Sequence, residues 1–340
     1  MSRLTLLLVP LAGAIALGAA DAKDTRTLLV GTVGGVHVLD GRPASNETWT
    51  TGRTLTIERS AVRALAQDHV SGMVVAGATR RDGGGSLHVS RDAGRTWSPV
   101  ESWPRERQAW AAGFTAKGAP MVGSQPADIW QAAKLDGPWT PNASIHAIPE
   151  REKWSFIRAP YEAHFVTLAR NPARPAQWLA AIERGGVLAS DDDGATWRLV
   201  SPYWDVHVVA FLPDGAWVAA AGEGLKISRD RGATWEDIAR PHGYATGLAV
   251  DAGGRLYAAL MGPDEGPLWM SSDSGLTWQP VPGAEKLPHP DYGVHSLAAD
   301  PTLPGVLYFG VDDEVWQVSG GTARKLADNL GEVLRVLVLQ

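Results

Sequence analysis

Small groups of imidazole, phenol and carboxylate recur along this chain, each leading into an apolar run. They read Glu162-Ala-His164, Asp205-Val-His207, His242-Gly-Tyr244 and Asp291-Tyr292-Gly-Val-His295. Acidic turns that follow apolar runs form a second set: Glu183-Arg184, Glu223, Asp264-Glu265 and Asp312-Asp313-Glu314. An imidazole near its ordinary pKa of about 6.5, beside a carboxylate, suits proton transfer, metal ligation or hydrogen bonding to a sugar. Glu183 stands out because it ends the apolar stretch Leu179-Ala-Ala-Ile182 and precedes Gly185-Gly186. Arg184 beside it can equally serve to neutralise it.

What must position these groups is legible in a repeat, which is the first thing to seek in a sequence. The phrase Ser-x-Asp-x-Gly-x-Thr-Trp occurs four times, at Ser90–Trp97, Ser190–Trp197, Ser228–Trp235 and Ser271–Trp278. Each copy lies between two strand-like runs and reads as the turn of a β-hairpin. Asp92, Asp192, Asp230 and Asp273 are placed to accept from backbone N–H groups a few residues on. The glycine supplies a position with φ above zero, and the tryptophan packs on the neighbouring sheet. Calcium ligation by these aspartates is the rival reading, but the D-x-D-x-D-G loop with a distal Glu is missing.

A longer register surrounds the phrase: apolar strand, turn, second strand, Gly-rich turn, then the phrase. Copies start near Val62, Ala109, Phe165, Val206, Thr246 and Val294, the second with a decayed phrase at Asp136–Trp139 and the last with none. Residues 28–50 lack a first strand, and Val333–Leu339 is a first strand with nothing after it. Joined, these halves make one more blade. The expectation is therefore an all-β, seven-bladed β-propeller whose first blade is closed by the N- and C-terminal strands, which protects two sheet edges. In such a fold the loops leading into each first strand and the turns joining second to third strands share one face. The repeated phrases lie on the other. The imidazoles and carboxylates above then gather at one mouth of the channel. In a wet channel each of them can also be merely solvated or bonded to backbone.

The chain has 340 residues, 44% of them hydrophobic, with 15 Trp, no Cys and a net charge of −6. Disulfides and thiolate metal sites are excluded, and mild acidity without a basic, aromatic-interleaved stripe argues against a nucleic-acid partner. Residues 1–22 read as a secretory signal peptide, with Arg3, an apolar stretch from Leu4 to Gly18 and Ala20-Asp-Ala22 before the cut. That stretch is shorter than the roughly 20 residues a membrane span needs. A single domain over 23–340, periplasmic or secreted, monomeric and not held in a membrane after cleavage, is expected. The long insertion at 141–164 reads as an ordered loop over one face. Trp154, Arg151, Arg158 and Tyr161 on or beside it make either a lid or an anchor.

The four phrases are identified as Asp-boxes, also called BNR repeats, and the chain resembles the sialidase-like superfamily over nearly its whole mature length. It is more similar to a set of secreted bacterial BNR-like proteins, through Ile182-Glu-Arg-Gly185, Asp205-Val-His207 and Ala221-Gly-Glu-Gly224. The arginine triad and Arg-Ile-Pro element of true sialidases are not recognisable, and only Phe156-Ile-Arg158-Ala-Pro160 echoes them. The resemblance implies a shared site without an assigned activity. Two functions remain open. One is a binding or assembly module for a glycan, peptide or protein, using His164, Arg158, Tyr161, Glu223, His242, Tyr244 and His295. The other is a glycan-active hydrolase or lyase, with Glu183, Asp205 and His207 as acid and base, for which two carboxylates about 5–10 Å apart are required. A metal held by His164, His207 and Glu183 is a third reading that no local spacing supports, and no cofactor is assigned.

Overall fold

The structure, a computed structural model, describes residues 25–45, 47–156, 162–201, 204–261, 266–287, 294 and 296–340. The signal-peptide residues 1–22, Arg158, Tyr161 and His295 lie outside the described residues. No helix among the described residues is long and apolar enough to cross a membrane.

The architecture is an all-β propeller of antiparallel sheets. Five sheets have four strands each, starting from Gln108–Phe114, Phe165–Arg170, Val206–Phe211, Tyr244–Val250 and Leu297–Ala299. The sixth sheet has six strands, in the order Val333–Val338, Arg26–Gly41, Thr50–Gln67, Val74–Arg80, Gly85–Ser90 and Ser98–Pro99. The propeller thus has six blades, which corrects the expected seven. Two segments that read as separate blades form one sheet because Arg26–Gly41 and Thr50–Gln67 each run on without a break. Arg26–Gly41 pairs with Thr50–Gln67 on both sides of its bend, from Asp40↔Thr50 to Val33↔Ala61. The same strand pairs with the C-terminal strand from Leu28↔Val338 to Thr32↔Val333.

The chain forms blades here because its second strands are continuous apolar runs. Trp178–Ile182 and Trp217–Ala221 are buried at every position. Runs buried on both faces belong between neighbouring sheets, and their alanines let the blades approach closely. Trp178 and Trp217 are among the largest fully buried side chains. Each such burial contributes about 1.5–3 kcal/mol.

The Ser-x-Asp-x-Gly-x-Thr-Trp hairpins are built as their residue types require. In the second copy Ser190 Oγ donates to Asp192 Oδ1 at 2.8 Å, while Gly194 N donates to Ser190 Oγ at 2.9 Å. Thr196 N and Oγ1 donate to the two Asp192 oxygens at 2.8 and 2.6 Å. Trp197 Nε1 closes the turn on Gly194 O at 3.0 Å. The left-handed region holds two residues and not the glycine alone: Asp193 sits at φ 60° and Gly194 at φ 85°. A Cβ on Gly194 would lie 2.5 Å from Met121 Sδ in the preceding blade, so glycine is required for docking as well as for turning.

Residues 141–164 are anchored to the body where described. They hold the short helix Ala143–His146 and the turn Arg151–Lys153. Asn142 Nδ2 donates to Gly194 O at 2.9 Å, and Trp154 is buried against Phe165. Trp154 is therefore an anchor and not part of a lid.

Candidate functional site

One irregularity repeats around the channel and builds its lining. In six strands the pairing slips by one residue at the same place. The slips fall between Val62 and Ala64, Ala109 and Ala111, Phe165 and Thr167, Val206 and Val208, and Ala245 and Gly247. The sixth falls opposite Gly31 and Thr32, between Val333 and Arg335. Each slip is a β-bulge, which leaves one residue unpaired and re-aims its side chain. The unpaired residues are Arg63, Trp110, Val166, His207, Thr246 and Leu334. All six line one cavity of about 410 Å³, within the usual range for small-ligand sites.

Glu183 and His164 line the same cavity from loops, and Tyr244 from the start of its strand. His207 Nδ1–H donates to Ala245 O at 2.7 Å, since a carbonyl can only accept. That bond turns Nε2 toward Tyr244 Oη at 2.9 Å and toward Asp205 Oδ1 at 3.6 Å. Tyr244 Oη donates to Asp205 Oδ2 at 3.2 Å. The phenol has one proton to share between two acceptors, so the trio is best satisfied when His207 carries a second proton. Burial works against that charge, but Asp205, the Ala245 carbonyl and the field of Glu183 outweigh it, and the imidazole is raised above its ordinary value. Burial tends to raise Asp205, but His207, Tyr244 and Arg184 hold its carboxyl below the usual range. Burial and the carboxylates Asp205, Glu183 and Glu223 push the Tyr244 phenol upward, so it stays protonated.

His164 is fully buried, between Trp110 with ring centroids 3.7 Å apart and Phe156 at 5.2 Å. Its Nδ1 bonds Glu162 O at 3.0 Å. Nε2 lies 2.9 Å from Glu183 Oε2 but off the line of a hydrogen bond, so the contact is electrostatic. Glu183 thus faces His164 and the cavity, not Arg184. Ligand atoms of Glu183, Asp205 and His207 lie within 4.8 Å of one another.

The other wall is basic. Arg335 Nε donates to Arg63 O at 2.9 Å and its Nη2 to Val166 O at 3.2 Å, which ties two strands of the six-stranded sheet to the blade that starts at Phe165. Burial and the charge of Arg63 pull Arg335 down to about 10. Arg63 stacks on Trp110, with its guanidinium 4.5 Å from the ring centroid.

Of the residues expected from sequence, Glu183, Asp205, His207, His164 and Tyr244 meet at this mouth. Glu223 is exposed on the adjoining turn and acts there through its charge, while His242 is exposed and bonds none of these five. Arg63, Trp110 and Arg335 were not foreseen. Arg335 had a signal, as the lone charge in the apolar run Val333–Leu339.

No protein-family model matches the chain, and no curated protein matches it in sequence. Solved structures do match in fold. The periplasmic gluconolactonase PpgL of Pseudomonas aeruginosa aligns with a TM-score of 0.62 at 13% identity, over 93% of this chain and 99% of that one. A candidate 6-phosphogluconolactonase from Bacteroides fragilis gives 0.63 at 12% identity, over 95% and 100%. The GH74 enzyme of Niastella koreensis gives 0.51 at 14% identity, over 90% of this chain and 44% of that one. At these identities the likeness establishes the propeller fold and leaves function to the site.

Proposed function

We propose that the protein is an exported ligand-binding propeller that seats a small polyhydroxylated ligand in its channel mouth. The observation that carries this reading is the convergence of Glu183, His207 and Tyr244, from three consecutive blades, on one cavity, with Asp205 bonded to Tyr244 beside it. Carboxylates accept from sugar hydroxyls, the Tyr244 ring offers a face, and Arg335 opposite them offers N–H donors. The leader-like residues 1–22 support export. The Asp-box reading of the repeated hairpins supports membership of the sialidase-like superfamily, in a branch without sialidase residues.

The test is a thermal-shift and calorimetric screen of chelator-treated protein against neutral sugars, sugar acids and short oligosaccharides. It is repeated on the double variant Glu183→Gln/His207→Ala. A ligand at 100 times its Kd should add about 2.7 kcal/mol of stability in the parent and nothing in the variant. A flat screen with a stably folded variant overturns the reading.

Hydrolysis is a second reading, suggested by the two carboxylates Glu183 and Asp205 beside His207, whose imidazole is raised above its ordinary value. In it Glu183 takes a proton from water as the water attacks, and His207 returns one to the leaving oxygen. Fold neighbours named as gluconolactonase and GH74 enzyme support looking for it. Release of a hydroxy acid or a reducing end from a bound ligand, lost in His207→Ala, is the outcome that separates it from binding alone.

A further inference from the structure

We propose that Glu183, Asp205 and His207 form a site for one divalent transition-metal ion of the zinc class at the channel mouth. The inference rests on the reading of that mouth as a ligand site and adds what the site would carry. Three observations support it, none of them depending on acidity alone.

The first is orientation. A metal-binding histidine nearly always donates its other ring N–H to a backbone carbonyl or carboxylate, which fixes the tautomer and aims the free nitrogen. His207 does this through Nδ1 to Ala245 O at 2.7 Å, and its Nε2 faces the carboxylates.

The second is a pair of buried polar atoms at the cluster that make no hydrogen bond. Asp205 Oδ1 is buried without a hydrogen-bond donor. His164, fully buried, has its Nδ1 on Glu162 O, and its Nε2 lies 2.9 Å from Glu183 Oε2 without the alignment of a hydrogen bond. Buried polar atoms normally find partners, so such atoms in one place call for a missing one. A cation on Asp205 Oδ1 would satisfy it directly. By drawing Glu183 toward it, the same cation would leave His164 as the positioning residue behind a ligating carboxylate.

The third is reach. The three ligand atoms lie within 4.8 Å of one another. Ligands about 2.1 Å from a tetrahedral ion are roughly 3.4 Å apart, so side-chain rotation closing at most about 1.4 Å completes the site. Tyr244 Oη would release His207 Nε2 and keep its bond to Asp205 Oδ2. One imidazole with two carboxylates suits zinc, manganese or cobalt better than calcium, which takes six to eight oxygens. Coordination positions left open would face the cavity, where ligand hydroxyls could fill them.

The experiment uses the full-length protein after chelator treatment and desalting. Zn²⁺ is titrated by calorimetry, and Co²⁺ is added separately to read its visible absorption. The expected result is one equivalent of Zn²⁺, with a four- or five-coordinate cobalt spectrum. Glu183→Gln, Asp205→Asn and His207→Ala should each weaken binding at least tenfold. His164→Gln should weaken it less and shift the cobalt bands, a response that loss of folding would not give. Glu183→Gln is nearly isosteric, so its metal-free melting curve serves as the folding control. Substoichiometric or non-saturable binding, affinity unchanged by the three variants, or preference for Ca²⁺ over Zn²⁺ overturns the proposal. Saccharide binding by metal-free protein would survive that outcome, which keeps the two failures distinguishable.

Discussion

Replacing Asp205 by Asn should reverse the direction in which the cavity shifts His207. Asp205 Oδ1 lies 3.6 Å from His207 Nε2. Coulomb's law at that separation gives about 1 kcal/mol in a water-like medium and about 5 kcal/mol at the effective dielectric of a protein surface. The side chains are 28% and 15% exposed, so the interaction falls inside that span. Burial opposes it and is the largest single influence on the imidazole. With the carboxylate present the attraction wins and the imidazole is raised; with the neutral amide, burial wins and it should fall below about 6.5. The sign carries into stability. A raised histidine contributes stability that is complete below its unfolded value and is lost as pH rises through its folded value. Asp205→Asn should therefore destabilise the protein more at pH 5.5 to 6 than at pH 9, by about 1 kcal/mol or more of difference. The assay is NMR titration of the His207 ring in chelator-treated protein, with thermal melts at both pH values. A His207 value that stays above 6.5 in the variant, or a stability loss independent of pH, would refute the electrostatic account of the site.

Three further outcomes concern the scaffold. Hydrogen bonds from Thr96 and Ser90 hold Asp92 at about 2, and Thr277 and Ser271 do the same for Asp273. These depressed values contribute stability that is present above about pH 4 and lost as pH falls through 2, so Asp92→Asn/Asp273→Asn should flatten the acid limb of a stability–pH curve. Gly232→Ala places a Cβ 2.7 Å from Val200 Cβ at φ 84° and should cost about 1–3 kcal/mol in a denaturant melt. Gly215→Ala, at φ 91° with open space around it, should cost clearly less, and equal losses would sink the steric argument. Removal of residues 333–340 takes away the strand paired with Leu28–Thr32 and the Arg335 tie across the channel. Such a truncation should aggregate or unfold without cooperativity by light scattering and calorimetry, because a long apolar edge is exposed.

The propeller was legible because its repeat is written in residues that a turn cannot do without. Asp92, Asp192, Asp230 and Asp273 each accept from Thr and Ser at fixed spacing, and the glycine beside each meets a left-handed φ. The blade count was not legible, for a physical reason. Counting repeats treats every turn as a sheet boundary, whereas Arg26–Gly41 bends through Gly34 and Gly35 without leaving its sheet. A Cβ at Gly35 would fall 1.8 Å from Leu55 O, so the two strands meet there more closely than any side chain allows. The first sheet supplies two strands to the cavity lining, Thr50–Gln67 through Arg63 and Val333–Val338 through Leu334 and Arg335.

The site was half legible, and the missing half follows one rule. Glu183, Asp205 and Tyr244 could be placed from sequence because loops before first strands and after second strands share a face. Trp110, Arg63 and Leu334 could not, since strand alternation assigns every second side chain to one face. A bulge breaks that alternation by one residue, and no residue type marks a bulge in the sequence. The mark is positional: in each of these strands the unpaired residue lies at the same step of the repeat, and there the types vary freely among Arg, Trp, Val, His, Thr and Leu. Such variation is what a scaffold with a changeable lining requires. The backbone defect is kept in blade after blade while its side chain is left to the ligand. His207 is the bulge residue that also belongs to the loop cluster, so it joins the interchangeable ring to the acid and phenol groups beside it. Exchanging His207 should therefore alter binding without disturbing the bulge, whereas exchanging Val206 or Val209, both buried in the strand, should disturb the fold first.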